Sequence, residues 1–362
     1  MAAEAKDYRL DGIYLQRQEG FFMQRVKLPA GIISSSQARM VSRIAEESGR
    51  NTIHLTTRGS MEIHWLAEND LPKVKRLMAL VGLTSRGACG GAVRGVTCST
   101  QGVLGFPQIE ALARRLHCHF SGNPRFERLP KKFKIGIEAS EESRRHLIQD
   151  IGLVLRQDAG EHARYDIWVA GGLGREPQPG FLFRTDVAEE RVIPLIESIL
   201  RVYAANTPPP KRLKHLVRTI GEEAFRQMVD TDPASEEELP EYRGFPENLL
   251  PAEKASTSCN TAHFFAGMLS VPQLNFLADF ADQFANGVLI VTSDQNILFK
   301  LGTGSDAESS RTRLEQAGFR TNEATEITFR ICPGTHECKA GLTPTRVIAG
   351  KILETLGEKG KN

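Results

Sequence analysis

The stretch Thr52-Ile53-His54-Leu55-Thr56-Thr57-Arg58-Gly59-Ser60-Met61-Glu62-Ile63-His64-Trp65 decides the fold of the first part of the chain. Two runs with strand composition, Thr52 to Thr56 and Met61 to Trp65, are separated by Thr57-Arg58-Gly59-Ser60, whose polar and glycine content suits a turn. In the second run Met61, Ile63 and Trp65 alternate with Glu62 and His64, as in a half-buried strand with a polar outer face. The pattern is a β-hairpin. Upstream, Phe21 to Leu28 reads as a strand ended by Pro29-Ala30-Gly31. Ser34-Ser35-Ser36 then offers an N-cap, and Met40, Val41, Ile44 and Ala45 recur at helical spacing up to Gly49. Downstream, Asn69 or Asp70 caps a second helix with Leu71, Val74, Leu77, Met78 and Val81 on its apolar face. Strand, helix, strand, strand, helix is the order of a split βαβ, ferredoxin-like unit.

A similar order returns near the end of the chain. Phe264-Phe265 through Pro272 matches Phe21-Phe22 through Pro29 in kind. It is followed by a helical stretch with Leu274, Leu277, Ala278 and Ala281, by Val288 to Thr292, by the turn Ser293-Asp294-Gln295-Asn296, and by Ile297 to Lys300. A helix over Ala307 to Ala317 completes the set. The turns align at an offset of 236 residues and the phenylalanine pairs at 243, which predicts a duplicated unit with a small deletion.

The chain has 362 residues, 40% hydrophobic and 25% charged, ordinary for soluble globular domains of this length. With 46 basic against 44 acidic side chains, the net charge of +2 gives no long-range field that would favour nucleic acid or a membrane surface. Neither a signal-like start nor an apolar membrane span is visible in the sequence, and the expected location is cytoplasmic. In that reducing setting the six cysteines, Cys89, Cys98, Cys118, Cys259, Cys332 and Cys338, are core thiols or metal ligands. Cys332 and Cys338 stand across the turn Pro333-Gly334, a spacing that lets both thiolates converge on one metal cluster. A cluster with four cysteine ligands would find only half of them here.

Between the repeats the sequence changes character. Gly87 to Cys98 and Gly171-Gly172-Leu173-Gly174 are glycine-rich loops that permit close approach of backbone to a ligand. Neither has the spacing of a dinucleotide-binding fingerprint. In Leu129 to Ile137, alternation puts Lys132 and Lys134 on one face and Phe133 and Ile135 on the other. Arg58, Arg94, Lys132 and Lys134 all lie at turns, glycine loops or strand ends, a set able to bind a polyanionic cofactor or a small oxyanion. Singly, each is also what a solvated surface would carry. His117-Cys118-His119 are consecutive and do not face one centre, so core or surface roles are expected for them. Helices are expected from Ala188 to Val202 and from Lys211 to Val229, flanking Thr207-Pro208-Pro209-Pro210, and the acidic, proline-dotted Asp230 to Lys254 reads as a linker.

Taken jointly and in order, these motifs resemble the siroheme-dependent nitrite and sulfite reductase family. Thr56-Thr57-Arg58-Gly59-Ser60 is similar to the family's Thr-Thr-Arg turn, Val93 to Cys98 to its Asn-Arg-Asn-Val loop, and Leu129 to Lys134 to its Leu-Pro-Arg-Lys-Phe-Lys strand. Val169 to Gly172, the turn Thr292 to Asn296, and Cys332 to Cys338 followed by Lys339 to Thr345 resemble further family segments. The resemblance implies an α+β fold in which two ferredoxin-like half-domain repeats flank a mixed α/β siroheme-binding-type domain. The expected boundaries are 1–86 for the first repeat, 87–230 for the central domain, 231–254 for the linker, 255–325 for the second repeat and 326–362 for the cysteine segment.

The resemblance further implies that Arg58, Arg94, Lys132 and Lys134 line a siroheme and bind nitrite or sulfite for six-electron reduction, with Gln295 and Asn296 as further cofactor-binding residues. It implies that Cys332 and Cys338 are two of the four thiolates of a 4Fe-4S cluster. Family members continue into a C-x3-C pair and a second siroheme domain, which this sequence lacks. The expectation is therefore one subunit of a split reductase, completed by a partner subunit and fed by an electron donor such as ferredoxin. The alternatives are a tetrapyrrole enzyme like precorrin-3B synthase and a non-catalytic scaffold or electron-relay subunit.

Overall fold

The computed structural model describes residues 8–99, 106–156, 162–233, 258–302, 304–321 and 329–359. The chain divides into two compact units, Met1–Gly12 with Ser85–Leu249, and Ile13–Thr84 with Leu250–Asn362. The fold is α+β, and both repeats fall in the second unit.

In that unit, β1 (Ile13–Leu15), β2 (Phe21–Val26), β3 (Ile32–Ser34), α1 (Ser35–Ser48), β4 (Thr52–Leu55), β5 (Met61–Ala67) and α2 (Leu71–Leu80) form the first repeat. The hairpin β4–β5 is present, with His54 opposite Glu62 and Leu55 opposite Met61. Helix α1 starts where the sequence predicts, because Ser34 accepts from Gln37 N while the Gln37 side chain accepts from Ser34 N. A reciprocal cap of this kind contributes about 1 kcal/mol.

The repeats are not closed on themselves. One sheet runs β1-β2-β5-β4 and takes as its fifth strand β12 (Met268–Ser270), which belongs to the second repeat. The other runs β11 (Cys259–Ala262), β14 (Ile297–Lys300) and β13 (Val288–Val291), and takes β3 of the first repeat as its fourth strand. Each repeat thus donates one short strand to the other. Helix α1 packs on its counterpart α7 (Val271–Phe284), and Arg39 bridges to Asp279 and Asp282 at 2.6 Å each. Gly31 and Gly267 make the crossings possible: both have positive φ, and a Cβ would meet Val291 O at 2.2 Å from Gly31 and Leu55 O at 2.6 Å from Gly267.

The strand register corrects one expectation. Val26 pairs with Met61 and Ala262 pairs with Ile297, 236 residues further on in both cases. The same shift relates the capping boxes at Ser34 and Ser270, so one offset runs through the repeat and no deletion separates the strands from the turns. Phe264-Phe265 is therefore the counterpart of Leu28-Pro29, not of Phe21-Phe22. Two aromatic pairs ahead of a proline are a compositional likeness that backbone pairing does not respect.

The first unit carries a sheet ordered β10 (Phe181–Ala188), β9 (Arg164–Val169), β8 (Ile151–Leu155), β7 (Ile135–Glu138), β6 (Thr97–Cys98), with β6, β7 and β8 parallel and the rest antiparallel. Helix α3 (Phe106–Phe120) packs on β6 and β7, and α4 (Glu189–Asn206) on β10. The single helix expected over 211–229 is two, α5 (Leu213–Ile220) and α6 (Glu222–Asp230), broken at Gly221 with φ +86°. His117, Cys118 and His119 are buried on α3, in keeping with a core role, and His119 Nε2 meets Glu197 Oε1 at 2.6 Å. Nearly all of the expected 231–254 linker lies outside the described residues.

Candidate functional site

Arg94, Lys132 and Lys134 come together in the first unit. Phe133 is fully buried and fixes the strand: its N–H donates to Ala92 O at 3.1 Å, and its carbonyl accepts from Arg94 N at 2.8 Å. The flanking Lys132 and Lys134 are half-buried on the other face, as the alternation predicts. Burial pushes the Lys132 ammonium below its ordinary pKa, and Arg94, Arg212 and Lys131 push it further, with Asp150 opposing them. Cations gathered at this density suit an anionic ligand.

Arg212, which follows Pro208-Pro209-Pro210-Lys211, is a residue that sequence reasoning missed. It is buried, and its Nε and Nη2 donate to Asp150 Oδ1 at 3.2 Å and Oδ2 at 2.7 Å. Asp150 Oδ2 also accepts from Lys134 N at 2.8 Å, so one carboxylate ties the lysine strand to the arginine. Burial raises the Asp150 pKa and outweighs Arg212. The second glycine loop closes on the same group: Arg212 Nη1 donates to Leu173 O, Lys214 Nζ donates to Gly172 O, both at 3.2 Å, and a Cβ on Gly172 would lie 2.6 Å from the guanidinium. The glycine therefore serves close packing here.

The second unit holds the other expected residues. Arg58 sits half-buried in the β4–β5 turn, where Thr56 Oγ1 accepts from Arg58 N at 3.3 Å and from Ser60 N at 3.2 Å. The repeat copies this: Thr292 Oγ1 accepts from Asp294 N at 3.3 Å and from Asn296 N at 3.2 Å. Asn296 Oδ1 accepts from Phe264 N at 3.0 Å. Gln295 is 1% exposed, and its amide is bonded to Leu55 O and to both backbone groups of Ile331.

Glu62 and His64 also depart from expectation, since they are buried and not on a solvated face. Arg25 pairs with Glu62 Oε1, while Oε2 faces His54 Nδ1 at 2.9 Å and His64 Nε2 at 3.5 Å. Burial would raise the Glu62 pKa, but Arg25 and the two imidazoles outweigh it and hold the carboxyl well below the usual range. Ligand atoms of His54, Glu62 and His64 lie within 4.8 Å of one another, close enough for a metal ion. The surroundings favour a hydrogen-bonded network instead. His54 Nε2 faces Gln295 Nε2 at 3.1 Å, a donor held in place by Leu55 O and Ile331 O. Both hydrogens of that amide nitrogen are taken by the two carbonyls, and Arg25 already pairs with Glu62.

Cys332 and Cys338 are exposed, and their turn is anchored at both ends. Thr345 Oγ1 donates to Cys332 O at 2.7 Å, and Cys338 N donates to Gly334 O at 3.0 Å. Arg17 N donates to Glu337 O at 2.8 Å, which ties the turn to the segment after β1. Cys89, Cys98 and Cys118 are buried; burial, with Glu138 and Glu110 beyond it, pushes the Cys98 thiol well above its ordinary pKa. Burial likewise raises the Cys259 thiol. Two accessible thiols on a fixed turn fit half of a four-thiolate cluster site.

The sequence model of the nitrite and sulphite reductase 4Fe-4S domain matches residues 94–237. That of the nitrite/sulfite reductase ferredoxin-like half domain matches twice, at 14–81 and 256–317, in agreement with the two repeats. A protein named sulfite reductase (ferredoxin) 2 from Mycolicibacterium paratuberculosis is 25% identical over 96% of this chain and 68% of its own length. The ferredoxin–nitrite reductase of Synechococcus elongatus is 29% identical over 93% of this chain and 70% of its own. Among solved structures, the Mycobacterium tuberculosis NirA protein superposes with a TM-score of 0.81 at 22% identity, covering 97% of this chain and 70% of that one, which shows a shared fold. Among the described residues no helix is long and apolar enough to cross a membrane.

Proposed function

From the premise that the chain belongs to the siroheme-dependent nitrite and sulfite reductase family of oxidoreductases, we propose that it contributes the oxyanion-binding cations and two cluster thiolates to a reductase of nitrite or sulfite. The family's cofactors are siroheme and a 4Fe-4S cluster, which when bound carry the electrons of the six-electron reduction. The observation that carries the proposal is Lys132, half-buried beside Arg94 and Arg212. These cations attract a small oxyanion, orient it, and stabilise the charge that develops as its bonds to oxygen break. Lys132 Nζ, brought closer to neutrality by burial, also gives up a proton more readily than an ordinary lysine. Arg58 is assigned the same oxyanion-binding role on the likeness of its turn to the family's.

Cys332 and Cys338 are the two thiols that fit cluster ligation, and the other four cysteines are buried or carry raised thiols. The remaining two thiolates are then not among those four; in the split-reductase reading they are a C-x3-C pair of a partner subunit that also brings the second siroheme domain. Ferredoxin, which forms part of the names of relatives, fits as electron donor. The test is anaerobic purification of the chain alone and with the candidate partner, followed by iron, sulfide and absorption measurements and by turnover of nitrite and sulfite with a reduced viologen. Cofactor complement and turnover are expected only from the pair. A complete cluster and siroheme spectrum from the lone chain would overturn the split arrangement, and loss of neither activity in a Lys132→Ala, Lys134→Ala complex would overturn the catalytic assignment.

A further inference from the structure

The two hairpin turns have the same backbone and different contents. Where the first repeat has Arg58-Gly59, the second has Asp294-Gln295. Gly59 takes φ +57° and Gln295 takes φ +63°, a left-handed conformation that glycine adopts freely and a side chain with a Cβ does not. A strained residue in one copy of a repeat, where the other copy uses glycine, points to a task for its side chain.

The contacts of Gln295 say what that task is. Its Oε1 accepts from Ile331 N at 2.6 Å and its Nε2 donates to Ile331 O at 2.8 Å, so the amide pairs with the backbone of Ile331 as a strand neighbour would. The same Nε2 donates to Leu55 O at 2.7 Å, the residue that leads into the Thr56–Ser60 turn bearing Arg58. Asp294 holds the preceding residue, accepting from Arg330 Nε at 2.5 Å. Ile331 is followed directly by Cys332.

We propose that Gln295 is a positioning residue that locks the backbone entering Cys332 to the turn carrying Arg58, so that a cluster thiolate and a substrate-side cation keep a fixed relation. The assignment rests on the functional reading of Cys332 and Arg58 given above. In this role the second repeat has turned its hairpin inward as a clamp, while the first keeps its own for the ligand.

Amide hydrogen exchange on the full chain, without cofactors, tests the clamp directly. In Gln295→Ala, exchange at Ile331 is expected to rise about tenfold or more, and exchange at Gly59 and Ser60 to rise with it, while amides of α3 stay unchanged. Gln295→Glu keeps the volume and the acceptor for Ile331 N but loses both donations, and the same coupled rise at lower amplitude is expected if the alanine variant fails to fold. A rise at Ile331 without one at Gly59 and Ser60, or no rise in either variant, overturns the proposal. In the complex loaded with its cluster, Gln295→Glu is expected to change the electron paramagnetic resonance signal of the reduced cluster and, as the Arg58 turn loosens with it, to raise KM for nitrite or sulfite; an unaltered signal overturns the clamp. If the wild-type complex reduces neither anion, the functional reading fails on that result alone, and the exchange data still decide the clamp.

Discussion

Arg212 and Asp150 form a two-point pair, Nε to Oδ1 at 3.2 Å and Nη2 to Oδ2 at 2.7 Å, with both residues buried in the first unit. Removing one partner leaves the other charged and dry. Arg212→Met is expected to cost about 3–5 kcal/mol of unfolding free energy. Asp150→Asn also loses stability, and the double substitution is expected to cost less than the two singles added. Urea unfolding of the four proteins measures this, and strictly additive losses would show that the pair is not coupled.

Lys132 would give the proposed anion site a pH signature. Its pKa is lowered by burial and then by Arg94 and Arg212, so it loses its proton at a pH below the usual lysine value of ~10.4. Anion binding needs the ammonium. Affinity is therefore full at low pH and falls as pH rises through the lowered pKa. Calorimetric titration with sulfite across pH should show this fall, and Lys132→Met should remove it while weakening binding about tenfold. A Lys132→Met protein with wild-type pH dependence would assign the titration to another group.

Glu62 makes stability depend on acid. Its folded pKa is depressed, so the folded state binds a proton less readily than the unfolded chain. The stabilisation is complete above the unfolded value of ~4.3 and is lost as pH falls toward the folded one. Glu62→Gln, which leaves Arg25 without its anion, is expected to cost about 3 kcal/mol at neutral pH, with the difference from wild type shrinking below pH ~4. Unfolding midpoints between neutral pH and pH ~3 decide it.

The glycines at the strand exchange should rank by what a new methyl would strike. Gly31→Ala meets Val291 O at 2.2 Å, Gly267→Ala meets Leu55 O at 2.6 Å, Gly59→Ala meets Val291 O at 2.9 Å, and Gly20→Ala meets nothing within 4 Å. All four have positive φ, which alone costs about 1 kcal/mol, so Gly20 sets the baseline. Thermal unfolding should give losses in the order Gly31, Gly267, Gly59, Gly20. Equal losses would mean that the strands can part to admit a methyl.

Thiol labelling separates the proposed cluster ligands from core cysteines. In the native chain, Cys332 and Cys338 should react with a small maleimide in minutes, and Cys98, buried with its thiol pushed upward, only on unfolding. Replacing Cys332 and Cys338 by serine should abolish iron and sulfide uptake in the assembled complex. Retained uptake would move the ligands elsewhere.

Much of this was legible in local pattern. The hairpin, the Ser34 cap and the Lys132/Lys134 alternation each depend on residues a few positions apart, and each stands in the structure as read. What escaped depends on partners far along the chain. Glu62 and His64 alternate like an outer face, but Arg25 and His54 pair with Glu62 in the interior, and only the fold supplies those neighbours. Arg212 lies 62 residues from Asp150, with no periodic signal to join them. Phe21-Phe22 and Phe264-Phe265 are alike in composition, whereas strand pairing relates the repeats by one uniform offset. Gln295 is legible as a turn residue, but its neighbour Ile331, 36 residues on, is supplied only by the fold.

The strand exchange between β3 and β12 also bears on how the chain is made. During synthesis the first repeat leaves the ribosome with two unfilled edges, at β4, which awaits β12, and at β3, which awaits β13. The whole of Ser85–Leu249 must be translated before either edge finds its mate. Contacts so distant in sequence form slowly, and exposed strand edges invite other chains meanwhile. The nascent first repeat is thus a natural client for a chaperone.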